Sequence, residues 1–183
     1  MKYIFLTLSL IFAFSFGFTQ NSITVHLKNG TSLIGSGTLK RKFVKVKTSK
    51  DAKAKKIKLE EIDSINYSKK GKSTVFYFFK NDENDLVPYL QLVADGKMNL
   101  YRYSMLVSTG YGAYESSSYY LKRDTESTVI TLGGGTVWDN FKKDSAQYFK
   151  DCPELVNNIS ESKKGFAKKD IERIVEFYNS ECH

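Results

Sequence analysis

Apolar and polar residues alternate over residues 23–27, a period of two that gives a strand one core face and one wet face. Asn29-Gly30 follows as a two-residue hairpin signal. The pattern resumes over 31–39, where Gly35 and Gly37 are expected at bulges or bends. Residues 43–47 and 56–59 form the next predicted pair, with Val44 and Val46 on one face and 50–55 as the connecting tip. A fifth short strand, 62–67, ends at Lys69-Lys70-Gly71-Lys72. Short strands at this density predict a small, strongly bent sheet or partial barrel.

The strands then lengthen. Residues 73–79 are a dense aromatic strand, 82–85 an acidic loop, and 89–94 leads through Asp95-Gly96 into 98–107. Along that last strand Met98, Leu100 and Leu106 share one face, and Tyr101, Tyr103, Met105 and Val107 the other, so both faces are expected to need cover. Residues 110–118 read as a loop of glycine, tyrosine and serine, followed by strands 119–122 and 128–132 and a flexible connection at Gly133-Gly134-Gly135.

Beyond the glycines the period changes to that of helices. Over 136–152, Trp138, Phe141, Ser145, Tyr148, Phe149 and Cys152 fall on one face, and over 168–182 Ile171, Ile174, Val175, Tyr178 and Cys182 do the same. Pro153 suits the first position of a middle helix over 153–160, where its missing N–H costs nothing. The fold class is therefore α+β: a small N-terminal barrel-like sheet (20–72) continuing into an antiparallel sheet (73–132), capped by helices (133–183). Residues 20–183 are expected to form one integrated domain.

Both cysteines finish an apolar stripe, which favours a Cys152–Cys182 disulfide over two buried thiols, a metal site or a catalytic thiol. Neither histidine, His26 or His183, has a useful spacing to a cysteine. Met1-Lys2 and the apolar run 3–18 have the form of a secretory signal, with Gly17 and Thr19 as small residues before a cleavage that leaves Gln20 first. No second apolar run of about twenty residues follows, so no transmembrane segment is expected after removal of 1–19. The protein is expected to be exported, to the periplasm, the outer surface or the medium.

Charge is uneven. Residues 21–80 hold 15 basic and 4 acidic side chains, whereas 81–183 hold 12 basic and 16 acidic. Ten of the basic ones, Lys40, Arg41, Lys42, Lys45, Lys47, Lys50, Lys53, Lys55, Lys56 and Lys58, are opposed within their stretch by Asp51 alone. Such a run can hold a polyanion such as nucleic acid, lipopolysaccharide or an anionic glycan. Lysine also guards exposed strand edges. The stretch has one arginine and only Phe43 interleaved, whereas base recognition favours arginine and stacking aromatics, so the solvated-edge reading comes first from sequence.

Other candidates are weaker. The tyrosines Tyr101, Tyr103, Tyr111, Tyr114, Tyr119 and Tyr120 suit a sugar- or peptide-binding surface, but half-buried cross-strand pairs are the commoner use. Asp82, Glu83 and Asp85 lack the spacing of an EF-hand, and the three glycines lack the Lys-Ser/Thr of a phosphate loop. His26 sits among alternating strand residues and no spacing selects a pair of carboxylates, so no catalytic residue, metal or cofactor is assigned.

The segment His26-Leu-Lys-Asn-Gly-Thr-Ser-Leu-Ile-Gly35, with Ile57-Lys-Leu-Glu-Glu-Ile-Asp-Ser-Ile65, resembles the opening of SH3-like and Sm-like small barrels. The order of parts resembles a group of secreted Bacteroidota proteins of unknown function. That likeness includes Asp95-Gly-Lys-Met-Asn-Leu-Tyr101, Tyr119-Tyr-Leu-Lys122, Phe149-Lys-Asp-Cys-Pro-Glu-Leu155 and Ile174-Val-Glu-Phe-Tyr-Asn179. It implies export to a Gram-negative envelope and brings no activity or site residue with it. The expected function is a non-catalytic binding or structural module whose partner is an envelope protein or an anionic polymer. The alternatives are a polyanion-binding protein using the 40–58 run and a hydrolase assembled from distant residues.

Overall fold

The computed structural model describes residues 22–110, 112–132 and 140–182. The signal segment, Tyr111, the three-glycine connection, Trp138 and His183 lie outside the described residues. Ten strands precede the helices: β1 Ser22–Leu27, β2 Ser32–Leu39, β3 Phe43–Lys47, β4 Lys55–Lys58, β5 Ile62–Lys69, β6 Lys72–Asn81, β7 Leu86–Ala94, β8 Met98–Thr109, β9 Gly112–Arg123 and β10 Thr128–Val129. Helices α1 Asn140–Tyr148, α2 Pro153–Ser160 and α3 Ile171–Glu181 follow, which makes the class α+β.

The ladder order is β4-β3-β2-β1-β5-β6-β7-β8-β9, antiparallel throughout. The short β10 runs parallel to the end of β6, and Ile130 just after it bridges Leu121 of β9. The first five strands must curl. A flat sheet would hold β4 and β5 about 19 Å apart, four ladder steps, yet only the 3-10 turn Leu59–Glu61 joins them. Among the described residues no ladder pairs β4 with β5, so the expected small barrel is a curled sheet left unclosed.

Gly35 and Gly37 enable this curl by close approach, and the register passes both without a shift. A Cβ at Gly35 would sit 2.2 Å from the Lys47 carbonyl oxygen, and one at Gly37 would sit 2.5 Å from Ile23. Inside the curl Ile23, Val25, Val44, Val46, Ile57, Leu59, Ile62, Ile65 and Phe78 form one buried cluster.

The aromatic strand β6 has both faces occupied. Phe78 joins this first core, while Tyr77 and Phe79 pack in a second with Val87, Leu90, Tyr101 and Val129. Strand β8 likewise gives Tyr101 to the second core and Met98 and Leu100 to a third, beneath the helices. Here the sequence reading needs two corrections. Residues 112–118 are not loop but the first half of β9, paired residue for residue with β8 up to Thr109↔Gly112. Tyrosine and serine suit a strand when a long partner offers a full ladder. The cover expected for both faces of β8 stops short of the hairpin's far end, where Met105 and Leu106 are exposed, Leu106 at 76%.

Helix α1 ends at Tyr148 because Pro153 and the turn before it cannot continue it, and Pro153 opens α2. The turn keeps Phe149 and Cys152 buried beside Leu155, Ile159, Ile174, Val175 and Tyr178. Cys152 and Cys182 form a disulfide with their Cα atoms 5.4 Å apart, tying the α1–α2 junction to the end of α3 across a sequence separation of 30. Asn179 of α3 fixes the helix to the sheet: its Oδ1 accepts from the Met98 N–H at 2.8 Å and its Nδ2 donates to the Met98 carbonyl at 2.9 Å.

Two stability measurements follow from this cap. Cys152→Ser lowers the unfolding free energy by about 3 kcal/mol through loss of loop closure, and an unchanged denaturation midpoint under reductant would contradict the bond. Asn179→Ala leaves the Met98 backbone groups unpaired in a buried setting and costs about 2 kcal/mol by urea titration.

Candidate functional site

The pleat of the β3–β4 hairpin sorts its residues. Val44 and Val46 of β3 and Ile57 of β4 point into the first core, so Phe43, Lys45, Lys47, Lys56 and Lys58 share the opposite face. The register sets Lys45 directly opposite Lys56 and Phe43 opposite Lys58. Like charges facing each other across a ladder are destabilising. Phe43 moderates this: Lys45 Nζ lies 6.0 Å and Lys56 Nζ 5.3 Å from its ring centroid, within cation–π range.

The remaining cations flank this face. Lys40, Arg41 and Lys42 occupy the β2–β3 connection, Lys50 and Lys53 the β3–β4 tip, and Lys55 the open end of the ladder opposite Val46, all exposed. Among the described residues none of the ten basic side chains takes part in a salt bridge. The structure therefore brings the sequence-predicted cations to one end of the sheet and leaves them unneutralised by carboxylate contacts.

The β2–β3 connection is held from the other half of the chain. Tyr89 of β7 donates its hydroxyl proton to the Lys40 carbonyl at 2.6 Å, and its ring packs edge-on against Phe76 and Phe78. Its backbone has a φ of 60°, a left-handed conformation uncommon for a bulky side chain. Burial pushes the Tyr89 hydroxyl up to about 12 despite its bond to the Lys40 carbonyl. Burial, followed by the nearby Tyr77, does the same for Tyr101, also to about 12.

Other candidate residues are dispersed. Cys152 and Cys182 are oxidised, so neither is a free nucleophile. His26 Nδ1 lies 2.9 Å from Ser32 Oγ, its cross-strand neighbour, on exposed strands; the sequence separation of six hid this pair until the hairpin register was known. The tyrosines form no single surface: Tyr101, Tyr103 and Tyr120 serve the second core, Tyr119 donates to Glu172 of α3 at 2.9 Å, and Tyr114 is exposed. Asp82 and Asp85 lie in the β6–β7 turn, where Asn81 Oδ1 accepts from the Asp85 N–H at 2.7 Å. No group of three or more His, Cys, Asp or Glu side chains positioned to hold a metal occurs among the described residues.

One polar cluster carried no sequence signal. At the end of β9, Arg123 donates to Asp151 at 3.0 Å, to Glu126 at 3.3 Å and to the Tyr148 carbonyl at 2.7 Å. Its guanidinium lies over the rings of Tyr148 and Tyr178 at 4.4 and 5.5 Å. Tyr148 donates to Glu126 at 2.8 Å and Tyr178 to Asp151 at 2.5 Å. Burial and then these carboxylate bonds hold both phenols well above their ordinary pKa. With every donor and acceptor directed inward to one another, the cluster clasps the helices to the sheet. No match to this chain is found among protein-family models, curated proteins or solved structures.

The tyrosine environments set an alkaline limit. Tyr89 and Tyr101 have folded pKa values above the unfolded 10, so their contribution to stability is complete below pH 10 and is lost as pH rises toward 12. The thermal midpoint should hold level from pH 7 to about 9 and fall above 10, and Tyr101→Phe should reduce that fall. A fall of equal size in the variant would contradict the assignment to Tyr101. Arg123→Ala should cost about 2 to 3 kcal/mol in a denaturant titration, since it strips partners from two carboxylates and two rings at once.

Proposed function

We propose that this chain is an exported, non-catalytic binding module that holds an anionic polymer on the outer face of its β3–β4 hairpin. The observation that carries the reading is the place of β3 in the ladder. Edge protection explains lysines on β4, the terminal strand, but β3 is hydrogen-bonded to β2 on one side and β4 on the other. Lys45 and Lys47 therefore guard no edge, and the Lys45–Lys56 pair stands against a local repulsion that a bound polyanion relieves. Export is supported by the apolar N-terminal run and by a disulfide, a bond that persists in oxidising compartments. No helix among the described residues is long and apolar enough to cross a membrane.

Binding of this kind depends on salt through counterion release. Replacing Lys45, Lys47, Lys56 and Lys58 together by glutamine should abolish retention on a sulfated-polysaccharide column at 0.15 M salt, and should flatten the log–log salt dependence by about 3. The outward face has no packing role, so the variant should unfold at or slightly above the unmodified protein's midpoint, given the repulsion removed. Unchanged retention in a folded variant would overturn the reading.

A further inference from the structure

Next to the paired lysines the outer face has a shallow, open depression of about 350 Å3, between β2, β3 and the β3–β4 tip. Its lining is a two-by-two quartet fixed by the ladder. Ser36 lies opposite Lys47 and Thr38 opposite Lys45, so two hydroxyls on one strand face two ammonium groups on the next, with Ala54 of the tip as a wall. Among the described residues the Ser36 and Thr38 hydroxyls have no hydrogen-bond partner. Lys45 and Lys47 are half-buried, so their stems lie along the sheet while the charged ends reach outward.

We propose that this quartet is a subsite for one acidic sugar residue, a uronate or a sulfated sugar, and that the anionic polymer is consequently a polysaccharide. The inference rests on the binding reading above and specifies its ligand. Three features favour a sugar over a nucleic acid strand. The subsite supplies hydroxyl partners, which can exchange hydrogen bonds with sugar hydroxyls, beside point charges that accept a carboxylate or a sulfate from many directions. Its size is at the lower end of ligand pockets and suits a ring with its substituents. The aromatic ring of this face, Phe43, already holds the ammonium groups of Lys45 and Lys56, so it is not a free platform for the base stacking on which single-strand binding relies.

The test uses the full chain without residues 1–19, and a Ser36→Ala, Thr38→Val double variant in which all ten basic residues remain. Three probes are titrated by calorimetry across salt: polygalacturonate, a sulfated heparin fragment, and a single-stranded oligonucleotide of matched charge. Expected is a loss of about tenfold for one or both glycans with an unchanged salt slope, and oligonucleotide affinity unchanged. The glycan that loses more identifies the carboxylate or the sulfate as the group held. Equal loss on glycan and oligonucleotide, or no loss on either glycan, overturns the subsite. No salt-dependent binding of the unmodified protein to any probe would instead overturn the polyanion reading beneath it. Matching thermal midpoints of the two proteins establish that both are folded.

Discussion

The two-residue pleat of β3 and β4 is the constraint on which the functional face depends. Burying Val44, Val46 and Ile57 in the first core leaves the intervening side chains no choice of direction, and the intervening side chains are Phe43, Lys45, Lys47, Lys56 and Lys58. A one-residue slip of β3 would bury two lysines and expose two valines. The hydrophobic register and the charged surface are thus one arrangement, and the core that stabilises the hairpin also fixes the spacing of its cations. The close passage of β2 over β3 at Gly35 and Gly37 completes the geometry, because it sets the Ser36 and Thr38 hydroxyls beside Lys47 and Lys45.

The rest of the chain supports that face from a distance. Strand β6 belongs to two cores and β8 to two, so the curled N-terminal ladder and the helical cap are connected through shared strands. Tyr89 makes the link specific, reaching from β7 to the Lys40 carbonyl at the start of the basic connection. At the opposite end the disulfide, the Asn179 clamp on Met98 and the Arg123 cluster hold the helices over the third core. The far half of the β8–β9 hairpin lies outside all three cores and exposes Met105, Leu106 and Tyr114. Its charge is confined to Glu115, in contrast to the lysine-bearing β4 at the other end of the ladder.

Much of the architecture was legible because period-two and period-3.6 patterns report burial directly. The short strands, the apolar stripes of the helices and the pairing of Cys152 with Cys182 followed from that logic. The 112–118 segment was misread because glycine, serine and tyrosine signal turns when considered locally, while the long ladder with β8 that makes them a strand is a tertiary fact. The Arg123 cluster was invisible for a similar reason: Arg123, Glu126, Tyr148, Asp151 and Tyr178 follow no motif and meet only when the helices fold back on β9. For the basic run, sequence supplied every residue and the wrong emphasis. It could mark a lysine-rich hairpin but not reveal that β3 is an internal strand, and that placement is what separates a ligand face from a guarded edge.

The most direct measurement is a hydrogen-exchange footprint of the protein with and without a sulfated polysaccharide at low salt. The account predicts slowed exchange in peptides spanning residues 36–58, strongest across the β2–β3 ladder and the β3–β4 tip, with the exposed end of the β8–β9 hairpin unchanged. Slowed exchange confined to residues 104–117, or none anywhere at saturating polymer, would contradict it.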